Sequence, residues 1–384
     1  MNTNWPRIKL TEVLELDLDR IDIDSSETYE MVGVYSFGRG LFHREPVQGS
    51  NTSYKSFYRL KADHVVMSQL FGWEGALALS SAEFAGRYVS PQFPTFRCKS
   101  DRLERSYLGW YIQRRAFWDD LGKRTRGMGD RRRTLSPEAL LNCEIPLPSL
   151  DEQRRIIARI KELSTKIEEA RSLQQQVQEE CEILCRSIVL SGSCKPTPMR
   201  TLVRLRECDV IVRAEENYDF AGVYCFGKGV FKGQRKSGSQ FAYSKLTRLK
   251  AGNFVYPKLM AWEGALGIVP QDCEGLFVSP EFPVFELDES RVLPETLDVY
   301  FRMPSVWPEL AAISTGTNVR RRRLHPSAFL NFEVPLPSME TQMRLRNLRQ
   351  VLTRLKPIQV QAAAELNALM PSILSKAFAG ELKR

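Results

Sequence analysis

The sequence predicts an α+β protein in which two similar mixed α/β domains are separated by two long coiled-coil helices. Three observations lead to this prediction: a repeat at one constant offset, short β-rich runs inside each copy, and coiled-coil spacing after each copy. The predicted boundaries are residues 1–145 for the first domain, 146–192 for the central spacer helix, 193–335 for the second domain and 336–384 for the C-terminal spacer helix.

The repeat relates the two halves of the chain at an offset of about 189 residues, which aligns residues 33–153 with residues 222–342 without a gap. VGVYSFGRGLF corresponds to AGVYCFGKGVF, and about 28 of the 65 positions from 33 to 97 are identical. This period is far longer than that of a solenoid repeat. It therefore predicts two whole domains, each followed by its own helix.

Each copy combines strand and helix patterns. The runs HVVMSQLF and NFVYPKLM lead into WEGALAL and WEGALGIV, where Gly75 and Gly264 suit a tight hairpin turn between strands. Helical stretches are expected around residues 103–122 and 294–312.

A proline-containing phrase closes each domain. Ser136, Pro137 and Glu138 supply an N-cap hydroxyl, a proline at the first helical position and a first-turn acid, which predicts a helix start. The copy, LHPSAF, keeps Pro326 and lacks the cap. The prolines of EIPLP and EVPLP then favour extended backbone, so each phrase is expected to leave its domain as a strand.

The stretch after each domain has the alternating four-and-three apolar spacing of a coiled-coil seam. Eight residues represent the predicted packing face: Ile156, Leu163, Val177 and Leu184 in the first stretch, and Leu345, Leu352, Leu366 and Ile373 in the second. Ser149 and Glu152 fit a capping box, whereas Pro357 and Pro371 are expected to kink or interrupt the second helix. About 40 helical residues predict a spacer roughly 60 Å long.

Composition and charge narrow the class of partner. The chain has 384 residues and a net charge of +9, and its arginines are locally clustered. This excess favours nucleic acid, with an anionic membrane as the weaker alternative. Because no run approaches about 18 apolar residues and MNTNWPRIKL lacks an apolar signal core, a cytoplasmic protein with no membrane segment is expected. The cysteines lack the paired spacing of a zinc site, so no metal is predicted.

Arginine clusters recur at the same place in both copies. They are Arg131, Arg132 and Arg133 in the first copy, and Arg320, Arg321, Arg322 and Arg323 in the second. A guanidinium can donate two parallel hydrogen bonds to a phosphate or a guanine edge, so these loops are predicted to bind DNA; a solvated charge run is the alternative. The other predicted DNA-binding residues are Arg39, Arg44, Lys55, Lys228, Lys232, Arg235 and Lys236.

Aromatic residues at several positions persist through the repeat. They include the pairs Tyr35 and Tyr224, Phe42 and Phe231, Tyr54 and Tyr243, Trp73 and Trp262, and Phe96 and Phe285. Because they lie in strand-like runs, core packing is preferred to stacking on bases. FGRG and FGKG are interpreted as turns rather than dinucleotide sites. Glu74 and Glu263 are assigned a structural turn hydrogen bond ahead of a contact with a cytosine amine.

Nothing in the sequence locates a catalytic site. The three histidines have no counterpart in the other half of the chain, and P-loop, HExxH and GxSxG motifs are absent. A paired-carboxylate site is not excluded by the sequence. The chain is interpreted as a binding protein that holds no cofactor of its own.

The order of domain, helix, domain, helix, together with SPEFPVF and its copy and with PLPSLDEQ and PLPSMETQ, resembles the specificity subunit of a type I restriction-modification system. The resemblance covers nearly the whole chain. It implies that each domain is a target recognition domain reading half of a split sequence in double-stranded DNA. It also implies that the two long helices pack antiparallel, which would give the chain internal pseudo-two-fold symmetry, and that they dock two modification subunits, which use S-adenosylmethionine. Restriction subunits that use ATP and magnesium are implied as further partners.

Two other functions stay open at this point. The same DNA-reading architecture would suit another methylase, nuclease or phage-defence assembly, which neighbouring genes would distinguish. An enzyme with an unrecognised site is the third hypothesis, and a methylation or cleavage assay on the purified chain would test it.

Exchange of residues 43–58 for residues 232–247 is expected to alter one half of the recognised DNA and leave the other half unchanged. The two copies share a frame but differ in HREPVQGSNTSYKSFY and KGQRKSGSQFAYSKLT, so base discrimination is predicted there rather than in the shared WEGAL segment. Methylated-base mapping in cells carrying the exchange measures the new target. An unchanged target would contradict this assignment.

Overall fold

The computed structural model describes residues 5–99, 101–125, 133–191, 194–316 and 322–382. The chain divides into two compact units. Residues 1–172 and 362–384 form the first unit, and residues 173–361 form the second. Each unit holds one α/β domain and a section of both long helices, so the α+β prediction with two similar domains and two long helices is confirmed.

The described residues contain eight α-helices. They are α1 (Arg105–Tyr111), α2 (Arg115–Gly122), α3 (Pro137–Leu141), α4 (Leu150–Leu190), α5 (Pro294–Phe301), α6 (Trp307–Ala312), α7 (Pro326–Asn331) and α8 (Met339–Phe378). The long helices α4 and α8 contain 41 and 40 residues.

The strands are short, as expected for small antiparallel sheets. The first domain contains β1 (Arg7–Lys9), β2 (Leu14–Leu16), β3 (Arg20–Asp22), β4 (Thr28–Tyr29), β5 (Val32–Val34), β6 (Leu41–His43), β7 (Val47–Gln48), β8 (Ser56–Arg59), β9 (Val65–Met67), β10 (Leu77–Leu79), β11 (Tyr88–Val89), β12 (Thr95–Cys98) and β13 (Glu144–Pro146). The second contains β14 (Lys195–Pro198), β15 (Val203–Leu205), β16 (Val210–Ile211), β17 (Asn217–Tyr224), β18 (Gly229–Ser237), β19 (Lys245–Arg248), β20 (Phe254–Val255), β21 (Gly267–Ile268), β22 (Phe277–Val278), β23 (Val284–Leu287) and β24 (Glu333–Leu336).

The two domains share one sheet topology, as the repeat predicts. The first has a sheet in the order β10-β9-β12-β2, and the second has the equivalent order β21-β20-β23-β15. A second sheet runs β11-β8-β3 in the first domain and β16-β19-β22-β17-β18 in the other. The difference is local, since β17 and β18 are each continuous where the first domain has two shorter strands.

The core of each domain lies between the first of these sheets and the short helices that follow it. Phe96 and Phe285 are fully buried in equivalent positions, which confirms that pair as core residues. Tyr107 is also buried, and its hydroxyl donates to the carbonyl oxygen of Pro146 at 2.9 Å. This bond satisfies the polar group at the boundary between the domain and its exit strand.

The proline-containing phrases have the predicted conformations. Ser136 caps α3 by accepting from the backbone N–H of Ala139 at 3.2 Å, while α7 begins at Pro326 without a side-chain cap. The following segment is extended in both domains: β13 pairs with β1, and β24 pairs with β14, in antiparallel register.

The strands on either side of Gly75 and Gly264 pair antiparallel as predicted, β9 with β10 and β20 with β21, but the connection between them is not a tight turn. A 3₁₀ helix precedes each glycine, which is its C-cap with a φ of 85° in Gly75 and 78° in Gly264. A Cβ atom at Gly75 would lie 2.5 Å from the Trp118 ring, and the same clash occurs between Gly264 and Trp307. Glycine is therefore required both for the left-handed backbone and for the approach of an indole ring.

The predicted helical stretches are each divided into two helices. Between α1 and α2, the Trp118 indole N–H donates to the carbonyl oxygen of Ile112 at 2.6 Å. Between α5 and α6, Trp307 donates to Phe301 at 3.0 Å. The break lets each indole satisfy a carbonyl at the end of the preceding helix.

The long helices run antiparallel within each unit, as predicted. In the first unit, Arg171 of α4 donates to the Asn367 side chain of α8 at 2.9 Å, and Ile156 shares a core with Phe378. In the second unit, Gln174 donates to the carbonyl oxygen of Gln359 at 3.2 Å.

The predicted packing face of the helices is wrong at Val177 and Leu184, whose side chains are 49% and 48% exposed. The buried positions in this half of α4 are Cys185 and Val189. The predicted seam places Leu184 17 residues after Ile167, whereas the buried Cys185 lies 18 residues after it, which is five turns of a straight helix with 3.6 residues per turn. The buried face is therefore displaced by one residue from the predicted heptad position. The other predicted residues are buried (Ile156 and Leu345) or half-buried (Leu163, Leu352, Leu366 and Ile373).

Helix α8 continues through Pro357 and Pro371, so the expected interruption is wrong. Both prolines are exposed, and each removes only one backbone donor. Solvent can reach the carbonyl groups that lose a partner, which explains why the helix tolerates them.

A buried glutamine joins each long helix to its domain. Gln153, in the first turn of α4, has no solvent exposure. Its amide oxygen accepts from the backbone N–H of Glu104 at 2.8 Å. Its amide nitrogen donates to the carbonyl oxygens of Arg102 and Pro148 at 2.8 and 2.9 Å.

The second domain repeats this junction in α8. The Gln342 amide oxygen accepts from the backbone N–H of Leu293 at 2.8 Å, and its nitrogen donates to the carbonyl oxygens of Arg291 and Pro337. Because each amide is fully partnered, it stabilises one arrangement of helix and domain.

Replacement of Gln153 by alanine is expected to lower the free energy of unfolding by about 3 kcal/mol, because one buried N–H and two carbonyls lose their partner. Denaturant unfolding followed by circular dichroism measures the change. The matched control is Gln175→Ala on the exposed surface of the same helix, where the Gln175 side chain donates to the Glu179 carboxylate at 2.8 Å. Equal stabilities of the two variants would show that the junction is not a stability determinant.

Candidate nucleic-acid interface

A short loop in each domain, residues 35–40 and 224–229, is here called the glycine loop. In the first domain, the backbone N–H groups of Phe37 and Gly38 donate to the carbonyl oxygens of Glu74 and Gly75 at 2.8 and 3.0 Å. In the second, Phe226 and Gly227 make the same bonds to Glu263 and Gly264 at 2.8 and 3.0 Å. The glycine loop is therefore held against the WEGAL segment in both domains, and it has the turn conformation that the sequence predicts.

Aromatic rings stack beside each glycine loop. The ring centroids of Tyr35 and Phe42 are 4.0 Å apart, and those of Tyr224 and Phe231 are 3.9 Å apart. The Phe42 ring lies over Gly33, where a Cβ atom would be only 2.4 Å away. Glycine at this position thus allows a ring to lie on the backbone.

The core prediction is wrong for part of the aromatic set. Four tyrosines are exposed: Tyr35, Tyr54, Tyr224 and Tyr243. Trp73 and Trp262 are half-buried, and their indole N–H groups donate to the carbonyls of Leu70 and Leu259. The repeat thus maintains aromatic rings on the surface as well as in the core.

Two arginines of the predicted DNA-binding set lie over aromatic rings in the first domain. The Arg39 guanidinium is 4.7 Å from the Tyr35 ring centroid, and Arg133 is 5.3 Å from that of Trp73. Since the Phe37 amide is bonded to Glu74, next to Trp73, these residues form one surface. We call it the basic-aromatic surface and define it as Tyr35, Phe37, Arg39, Trp73 and Arg133.

The second domain has an equivalent frame. The backbone N–H of Leu324 donates to the carbonyl oxygen of Lys258 at 2.8 Å, as Leu135 donates to Gln69 in the first domain. Arg323 forms a salt bridge with Glu281 at 2.9 Å, so this cation already has an intramolecular partner. Four residues of the predicted clusters, Arg131, Arg132, Arg320 and Arg321, lie outside the described residues; Arg322 is described and half-buried.

The remaining predicted cations are exposed. Those that form no salt bridge in the described part of the chain are Arg44, Lys55, Lys228, Lys232 and Lys236. Arg235 differs, because it donates two hydrogen bonds of 2.7 Å to Asp219. This contact lowers the pKa of the Asp219 carboxyl below its usual value. Arg235 must break or share that bond to contact a phosphate.

The two repeated glutamates act through their backbone. Glu74 and Glu263 accept from the glycine loop through their backbone carbonyl oxygens, a contact that does not test the predicted role of their carboxylates. The Cys225 thiol donates to the Glu263 carboxylate at 3.5 Å, and burial raises the pKa of that thiol. Cys225, whose pKa is raised first by burial and then by the bond to Glu263, is therefore a thiol rather than a thiolate at neutral pH.

Two of the histidines contact carboxylates, and none of the cysteines forms a disulfide. His64 lies 2.9 Å from Asp17, a contact that lowers the pKa of the Asp17 carboxyl, and His43 lies 3.2 Å from Glu83. All eight cysteines are free thiols. Within the described ranges, no group of three metal-binding side chains lies together. None of the helices in these ranges has the length and apolar character needed to span a bilayer.

One family model matches part of the chain. Residues 2–179 match the model of the type I restriction modification DNA specificity domain. The type I restriction enzyme EcoBI specificity subunit of Escherichia coli is 31% identical over 129 residues. That alignment covers 31% of this chain and 25% of the relative, so the matched segment spans about a quarter of the relative's length.

Comparison with solved structures gives the same fold over the whole chain. The HsdS subunit from Thermoanaerobacter tengcongensis has a TM-score of 0.54 at 20% identity, over 100% of this chain and 98% of that chain. A chain from a structure of the complex assembly and conformational transition of the type I R-M system has a TM-score of 0.66 at 19% identity, over 99% of both chains.

Replacement of Arg131, Arg132 and Arg133 by alanine should flatten the salt dependence of DNA binding. Removing one phosphate contact reduces the slope of log affinity against log salt by about 0.9. Fluorescence anisotropy over a salt series measures the slope. The control is Arg155→Ala on α4, where the arginine pairs with Glu152 at 2.6 Å. The cluster has no role in binding if both variants keep the slope and affinity of the unmodified chain.

Proposed function

Because residues 2–179 belong to the type I restriction modification DNA specificity family and residues 222–342 repeat residues 33–153, we propose that this chain is the DNA-specificity subunit of a type I restriction-modification complex. Each domain reads one half of a split target in double-stranded DNA. The boundaries proposed from the sequence, at residues 145, 192 and 335, separate the two readers from the spacer helices.

The repeated surface supports this proposal most strongly. A glycine loop, a stack of two rings and a following cation recur at equivalent positions in both domains. Exposed cations attract phosphates, and exposed rings and amides contact bases. The basic-aromatic surface and the predicted residues around it are therefore proposed to bind DNA.

The long helices are proposed to bind two modification subunits. In the second unit, apolar side chains are exposed along both helices: Val177, Ile183 and Leu184 on α4, and Val351, Ile358 and Val360 on α8. A surface of this kind requires an apolar partner to exclude water. Val177 and Leu184, whose side chains are exposed in this chain, are proposed to contact a modification subunit in the complex.

The chemistry is proposed to lie in the partners. Modification subunits would hold S-adenosylmethionine and methylate adenine, and restriction subunits would use ATP and magnesium for translocation and cleavage. This chain then acts in the cytoplasm as an adaptor that holds no cofactor and determines where those subunits act.

Methylated-base mapping of the host genome with and without this gene tests the proposed function. Two similar readers on antiparallel helices should favour half-sites that resemble inverted copies. To lie on one face of the duplex, the half-sites must be about 10 to 10.5 base pairs apart, centre to centre. Half-sites of about four base pairs then leave an unread gap of roughly six.

The outcome separates the parts of the proposal. A motif that disappears with the gene and contains a gap supports a specificity subunit, whereas a continuous motif would contradict the spacer. Half-sites of unrelated sequence would contradict only the expectation that the two half-sites resemble inverted copies. Methylation or cleavage by the purified chain alone would instead indicate an enzyme.

A further inference from the structure

Phe37 and Phe226 occupy equivalent positions in the two glycine loops. Each side chain is 63% exposed. Neither residue belongs to a hydrophobic core of its domain. Burial therefore does not explain why both copies have phenylalanine at this position.

The backbone conformation also disfavours phenylalanine. The φ angles of Phe37 and Phe226 are 64° and 60°, in the left-handed region. A side chain with a Cβ atom is unfavourable there, and a bulky one especially so, while glycine fits without strain. The loop keeps this conformation because its amides are bonded to the WEGAL segment.

The ring is supported on one side and open on the others. In the second domain, the Phe226 centroid lies 6.1 Å from that of Trp307, with the ring planes at 58°. The Trp307 indole is fixed by its bond to Phe301. A ring that contacts an indole on one side and is exposed to solvent elsewhere is suited to contact another molecule.

The charges nearby indicate the kind of molecule. Two residues after each phenylalanine stands an exposed cation, Arg39 or Lys228. Arg133 lies over Trp73 on the same surface of the first domain. A partner must therefore offer anionic groups close to apolar faces, and DNA does so with its phosphates and stacked bases.

We propose that Phe37 and Phe226 are DNA-inserting residues, one for each half-site, whose rings enter a base step and partly unstack it. The proposal rests on the proposed function. A phenyl ring has no hydrogen-bonding group, so it contributes affinity and distortion rather than readout of base edges. This explains why both copies have the same residue while the segments at 43–58 and 232–247 differ.

Glycine replacement separates binding from folding. Phe37→Gly and Phe226→Gly, each in the full chain assembled with its modification subunits, should weaken binding to the mapped target about tenfold. The salt slope should not change, because no cation is removed. The thermal unfolding midpoint should stay equal or rise, because glycine relieves the left-handed strain. Ile211→Ala is the control, because Ile211 is exposed and Asp22 replaces it in the first copy.

Base unstacking is measured with 2-aminopurine placed at successive positions of each half-site. The unmodified complex should increase the fluorescence of one position per half-site. Phe37→Gly should remove the increase in one half-site only, and Phe226→Gly in the other.

Three results would overturn the proposal: unchanged affinity, fluorescence that does not depend on the phenylalanines, or a loss of binding accompanied by lower thermal stability or failed assembly. The last result would place the rings in a protein contact. These three results differ from the result expected if the proposed function is wrong, because in that case the unmodified chain would direct no methylation.

Discussion

The buried amide at the junction of helix and domain is the constraint on which the rest of each unit depends. Gln153 bonds to the backbone just before α1, and α1 leads to α2 and the Trp118 indole. That indole packs against Gly38 and Gly75, which hold the glycine loop. A series of direct contacts thus runs from the spacer helix to the surface proposed to bind DNA. The direction of the helix therefore determines the position of that surface.

Features determined by local chemistry could be predicted from the sequence. The repeat gave two similar domains, and the Ser136 cap and the prolines gave the short helices and exit strands. The helix face could not be predicted in the same way. Cys185 and Val189 are buried because this end of α4 packs on the core of the second domain, whereas the apolar spacing of a coiled-coil seam reflects contacts with the partner helix alone.

The candidate surface was only partly predictable, for a physical reason. Alternation in a strand indicates which residues share a side, but it does not indicate which side is covered. Gly33 lets the Phe42 ring cover the backbone, and Tyr35 then stacks outside it, exposed. Phe37 was missed because its exposure depends on a bond to Glu74. Its identity in both copies, before a Gly-x-Gly sequence, was the available signal.

The first unit is closed by residues from the far end of the chain. Phe378 packs edge-on against Tyr107 and Tyr111, and Leu374 and Ala377 belong to the same core. About 200 residues separate the end of the first segment of this unit from those residues. At roughly 5 to 20 residues per second, a ribosome takes about 10 to 40 s to add them. During translation, the core of the first domain therefore remains incomplete until these residues are synthesised. The second domain is contiguous in sequence and can fold before the first domain is complete.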